Sequence, residues 1–138
     1  MARYELACRT HGGSRPGKAP NQKRDFQSRF KTFYELYFSG APVYNDEQFR
    51  RRFRMHRELF SKVYDGVVAH DAYFSHKRDC TGKWGVHPLM KIIAALRVLA
   101  YGCSADSLDE NLEISETTVS NCVEHFTSAV VDVLVIIT

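Results

Sequence analysis

Apolar residues recur at intervals of three and four along most of this chain, the spacing that places them on one face of a helix. Phe26, Phe30, Phe33, Tyr34, Tyr37 and Phe38 predict an amphipathic helix from about Lys23 to Phe38. Ser39-Gly40-Ala41-Pro42 ends it, since Gly suits a C-terminal cap and Pro cannot continue the ladder. Asn45 is a good N-cap, and Asp46 and Glu47 follow where the helix dipole favours acids. Phe49 and Phe53 continue that helix, and Leu59, Phe60, Val63, Tyr64 and Val67 predict an inward face from about Arg57 to Ala69. The pattern leaves open whether these form one helix or two broken near Met55-His56.

Asp71–Val86 carries Gly82 and Gly85 with little periodicity and reads as a loop. His87-Pro88 then opens a strong helix, with Pro at the first helical position, Leu89, Ile92, Ile93, Leu96, Leu99 and Ala100 inward, and Gly102 closing it. Two further helices are predicted at Ala105–Leu112 and from Glu116 to about Val133, separated by Glu113-Ile114-Ser115. Val130–Ile137 is β-rich in composition. The expected fold is all-α: a small bundle of five to six helices, including a helix-turn-helix-like pair, over residues 23–134. Residues 1–22, rich in Gly, Arg, Lys, Pro and Asn, offer little apolar surface and read as a disordered basic tail.

Length and composition fit one globular domain: 138 residues, 44% hydrophobic and 25% charged. No apolar run approaches a membrane span, and the start lacks a signal-peptide core. Cys8, Cys80, Cys103 and Cys122 are far apart and read as reduced thiols of an intracellular protein. The distribution of charge changes the picture more. Residues 1–57 carry a net +8 and residues 58–138 a net −5, and the last Lys or Arg is Arg97.

That polarity bears on the helix pair at Ser104–Phe126. Leu108 and Leu112 give the first helix an inner face, Ile114 fills the turn, Ser115 caps the second helix, and Val119, Val123 and Phe126 point inward. Thr117, Ser120 and Asn121 could hydrogen-bond base edges, but the segment holds six acids and no cation. It reads either as a DNA reader, or as a structural helix pair or a protein docking face. Phosphate contacts would fall to Phe49–Arg57, where Arg50, Arg51, Arg52, Arg54 and Arg57 accompany two phenylalanines. On one continuous helix, at about 100° per residue, Arg50, Arg54 and Arg57 share a stripe. The same arginines could instead pair with the acidic half, or act as a nuclear-import signal. His76, Cys80 and His87 match no zinc spacing, and Asp71, Asp79, Asp106 and Asp109 have no rigid frame on which to converge. No catalytic residue and no metal ligand is assigned.

Taken in order, several segments resemble the PIF/Harbinger transposases and their domesticated nuclease relatives. These are Tyr37-Phe38 with Pro42-Val43-Tyr44, FRRRFRMHRELF (49–60), HDAYFSHKRDCTGKWGVHPLMK (70–91), AALRVLAYGCSADSLDE (94–110) and ISETTVSNCVEHF (114–126). The resemblance spans about 33–134. It implies the helical N-terminal part of such a protein, ahead of a nuclease domain whose carboxylates and divalent metal ions lie outside this chain. On that expectation the chain has no cofactor of its own, 135–138 is a truncated tail, and the location is the nucleus. A Myb/SANT-like protein would be the partner, and DNA binding would be weak and phosphate-directed. The rival expectations are a protein-interaction module or inert structural remnant, and part of an active nuclease if the gene is longer. His56 and His87 stand where the resemblance leads one to expect small capping residues, so each implies a missing cap, costing about 1 kcal/mol. Val131, Val133, Leu134, Val135, Ile136 and Ile137 predict an exposed tail and self-association.

Overall fold

The computed structural model describes residues 25–137. The basic tail expected at 1–22 lies outside the described residues. Six α-helices form a small all-α bundle among them: α1 (Phe26–Tyr37), α2 (Asp46–Phe53), α3 (Arg57–His70), α4 (Pro88–Tyr101), α5 (Ala105–Leu112) and α6 (Glu116–Ile137). A single 3-10 turn, Ala72–Phe74, follows α3.

The helix ends are set by local chemistry. Asp25 accepts from the Ser28 amide to start α1. Asn45 and Gln48 form a reciprocal capping box on α2, with Asp46 and Glu47 in its first turn. Pro88 opens α4 and Gly102, at φ +64°, ends it in the left-handed region that glycine adopts without strain. Ser104 caps α5. Ser115 Oγ accepts from the Thr118 amide at the start of α6.

Between Phe53 and Arg57 the chain breaks. Arg54 sits in the left-handed region (φ 61°, ψ 18°) as the C-cap of α2, and His56 begins α3 without a side-chain cap. The Arg50–Arg54–Arg57 stripe expected of one continuous helix is therefore corrected, because Arg57 belongs to a different helix with a different axis. His87 is a second correction: its Nδ1 accepts from the Leu89 amide at 3.0 Å, so α4 is capped after all.

Two packed regions make one core. The first is aromatic and is built from α1, α2 and α3. Phe49 and Phe53 stack at 4.4 Å between ring centroids, Phe60 meets both edge-on, and Tyr37 meets Phe53 edge-on at 5.0 Å. The second is built around α4, which is buried on every side from Pro88 to Leu96, as expected of a central helix. The long helix α6 lies along α4 and also packs on α3 and α5, placing Val119, Cys122, Phe126, Ala129 and Val133 inside. At Gly66 the backbones of α3 and α6 come close: a Cβ there would stand 2.8 Å from a Val133 methyl.

Two readings of the apolar pattern need correction. Leu59 and Leu99 are exposed, 51% and 52%, although both fall at helical intervals. Among the described residues those outer faces stay open to solvent. The β-rich end is helical to Ile137, because packing of Ala129 and Val133 outweighs the small helix penalty of β-branched residues. Among the described residues no helix is long and apolar enough to cross a membrane.

Candidate functional site

The five arginines of 50–57 divide into two groups. Arg52 and Arg57 are turned to the protein. Arg52 donates to the Tyr37 hydroxyl at 2.8 Å and its guanidinium lies 3.9 Å over the Tyr44 ring. Arg57 donates to the Tyr37 carbonyl, to the Tyr44 carbonyl at 3.1 Å and to Asp46 at 2.7 Å, with the Phe49 ring beneath it. These two arginines close the turn between α1 and α2, and their guanidinium groups are engaged by the protein itself.

Arg50, Arg51 and Arg54 are exposed. With Glu47 they line a shallow recess of about 420 Å³ at the end of α2. Arg54 lies 4.9 Å over Tyr101, whose hydroxyl donates to the Arg51 and Arg52 carbonyls. The left-handed turn and the Tyr101 hydroxyl thus hold the corner in place, so the three cations sit on a fixed frame.

Thr117, Ser120 and Asn121 are exposed on the first turns of α6, and Glu116 and Glu124 are exposed beside them. At helical spacing Thr117, Ser120, Asn121 and Glu124 form one stripe. A phosphate approaching that stripe meets a carboxylate with no arginine or lysine on the same helix. The turn before it is closed by charge as well: Glu113, in the left-handed region at φ 57°, pairs with Arg29 of α1 at 3.2 Å.

A polar network joins α3, α4 and α6. Asp71 accepts from the Tyr73 amide and from His125 Nδ1 at 2.8 Å, and these bonds hold its carboxyl below the usual range. Tyr73 and His125 stack at 4.1 Å, Lys91 donates to the Tyr73 carbonyl at 2.7 Å, and the Tyr73 hydroxyl meets Cys122 Sγ at 3.6 Å. The cysteine faces tyrosine rather than histidine, is fully buried, and has its thiol pKa pushed up by desolvation. Thiolate chemistry needs the opposite environment, so this network braces the bundle. Among the described residues no group of three or more His, Cys, Asp or Glu could hold a metal ion.

The sequence reading missed a cleft of about 370 Å³ where α1, α3 and the start of α4 meet. Phe30, Tyr34 and Phe38 line it from α1, Phe60, Tyr64 and Asp65 from α3, and His87 and Leu89 from α4. Those α1 residues fall at core spacing and so read as core. The available signal was their number: six aromatics between Phe26 and Phe38 exceed what one helix stripe can bury, and Tyr34 stays 45% exposed.

His87 stacks on Phe30 at 4.0 Å, and burial, with His76 nearby, lowers its pKa to about 4. The folded protein therefore prefers the neutral ring, the form that can accept at Nδ1. A folded pKa below the unfolded value of about 6.5 gives stability that is complete above pH 6.5 and lost as pH falls from there through 4. With half the ring open to solvent screening, the loss should be about 1–2 kcal/mol. His87→Asn keeps an N-capping acceptor and does not titrate. Urea midpoints of the two proteins should diverge below pH 6.5, and parallel curves would contradict this assignment.

Residues 31–68 of the chain match a family model described as a domain of unknown function (DUF8418). No curated protein and no solved structure matches the chain. These findings correct the description drawn from the resemblance. The family matched carries no transposase, Harbinger, helix-turn-helix, DNA-binding or nuclear description, and of the expected picture the all-α bundle stands. The matched segment includes all five arginines of 50–57 and most of the aromatic cleft, and it excludes α5 and α6.

Proposed function

We propose that the chain is a small helical protein-interaction module whose α2 corner takes an acidic segment of a partner protein. The observation that supports this reading is the division among the arginines: two hold the fold, while Arg50, Arg51 and Arg54 present guanidinium groups outward on a rigid turn. Guanidinium forks on a fixed frame suit carboxylates, which they bind in bidentate fashion. Duplex DNA is the rival ligand. Three phosphate contacts would give a salt slope of only about −3, the level of weak non-specific binding, and Glu47 stands among the three arginines.

The test is titration of the full chain with a Glu-rich peptide and with a random duplex, read by fluorescence anisotropy. Arg50→Gln, Arg51→Gln and Arg54→Gln together should weaken peptide binding at least ~30-fold. The thermal midpoint should change little, since these side chains are exposed. Tighter binding of the duplex, or peptide binding that survives the triple substitution, would overturn the proposal.

A separate observation favours self-association. Val131, Leu134 and Val135 are 61%, 48% and 72% exposed and form an apolar strip on the last turns of α6. Val131→Ser with Val135→Ser should lower the scattering mass at high concentration and leave the fold intact. Unchanged mass would remove the strip as the contact.

A further inference from the structure

The cleft between α1 and α3 combines features that do not suit a closed core. Phe30 and Tyr34 on α1, with Phe38 at its C-cap, recur every fourth residue and line it. Phe60 and Tyr64 face it from α3, their rings stacked at 6.2 Å. The cleft exists because α1 reaches the bundle through long aromatic side chains rather than by close backbone approach. Neither the Tyr34 nor the Tyr64 hydroxyl makes a hydrogen bond among the described residues, and Tyr34 stays 45% exposed beside the packed rings of Phe30, Phe38 and Phe60.

Among the described residues the charge lining this cleft has one sign. Asp65 stands exposed among the lining residues and makes no ion pair among the described residues. Among the described residues no lysine or arginine lines the cleft. His87, at its α4 side, is neutral near pH 7 because burial lowers its pKa to about 4. An aromatic wall with a carboxylate nearby attracts cations that shed water easily. Methylated ammonium groups do so, and aromatic rings bind them through their negative faces. A primary ammonium keeps its hydration and gains less. A neutral apolar side chain would gain contact area but nothing from Asp65.

We propose that this cleft binds a methylated ammonium group carried on a partner protein, of the kind a trimethyllysine side chain presents. The cleft is a separate surface from the arginine corner, with the opposite charge, and is independent of the acidic-partner reading. A protein could use both at once by presenting an acidic run beside a methylated lysine.

Three peptide probes and free choline test it on the full chain, with proton NMR of the Tyr34 and Tyr64 rings as the readout. These are a short trimethyllysine peptide, the same peptide with unmodified lysine, and the peptide with a neutral neohexyl isostere of the trimethylammonium group. Free choline reports whether the ammonium group alone suffices. The trimethyllysine peptide should shift both tyrosines and bind about tenfold more tightly than the isostere. Asp65→Asn, at an exposed position, should weaken it about threefold to fivefold and leave the thermal midpoint in place. Tyr34→Leu should remove most of the binding while a circular dichroism spectrum reports the helices intact. The arginine triple variant should bind it as the parent does. Equal binding of the isostere, or an absence of shifts at both tyrosines, overturns the proposal. Choline binding that matches the peptide shows that the ammonium group is recognised and the peptide is not, which overturns the protein-borne source.

Discussion

Phe53→Ala should cost the protein about 3–5 kcal/mol, measured as a fall in the urea midpoint at unchanged m-value. Phe53 is 1% exposed and lies at the centre of the aromatic core. Phe49, Tyr37 and Phe60 all have ring centroids within 5.4 Å of its own, and the Arg97 guanidinium stands 6.0 Å from it. Truncation leaves a cavity bounded by three rigid rings from α1, α2 and α3, which cannot collapse without moving a helix. A domain with the usual 5–15 kcal/mol of total stability would lose much of it. Phe53→Leu keeps most of the volume and should cost less than half as much. A loss below about 1 kcal/mol for the alanine variant would show that the three helices do not converge on this ring.

Arg57→Ala should cost about 2–3 kcal/mol, although arginine at a protein surface is commonly replaceable. The side chain serves as the partner of two backbone carbonyls, those of Tyr37 and Tyr44, in the link between α1 and α2. Its removal leaves both acceptors half-buried and unpaired, which is where most of the cost arises. The ion pair with Asp46 is a minor part, because Asp46 is 89% exposed and screened. Asp46→Ala should therefore cost well under 1 kcal/mol beyond its effect on the α2 dipole. Arg57→Lys should recover little, since one ammonium cannot span the two carbonyls and Asp46 as the fork does. Equal losses for Asp46→Ala and Arg57→Ala would mean that the salt bridge, and not the backbone contact, carries the effect.

The helix boundaries were legible because their signals are local. Asn45 and Ser104 accept from amides within a turn of themselves, Pro88 brings a helical φ to the first position, and Gly102 donates its N–H to the Val98 carbonyl, each standing where its residue type suggests. What depended on distant neighbours was not legible. The exposure of Leu59 and Leu99 follows from which helix lies over each face, and periodicity carries no information about that. The break at Arg54 had no glycine or proline to announce it. The two roles of the arginines were hidden for a related reason: Arg57 is held by main-chain carbonyls, which every residue possesses. His87 was misjudged because a neutral imidazole nitrogen can accept an amide hydrogen, and burial, with His76 nearby, extends that neutral form to lower pH. The aromatic cleft was hidden because a ring at core spacing reads the same whether or not a neighbouring helix closes over it.

The missing side chain at Gly66 sets how near two helix axes can stand, and Val133 occupies the space so released. Positions 66 and 133 are thus bound to a joint history. Alanine at 66 becomes admissible once 133 has shrunk, and neither can drift far alone. Among homologous chains, the pair should change together or not at all.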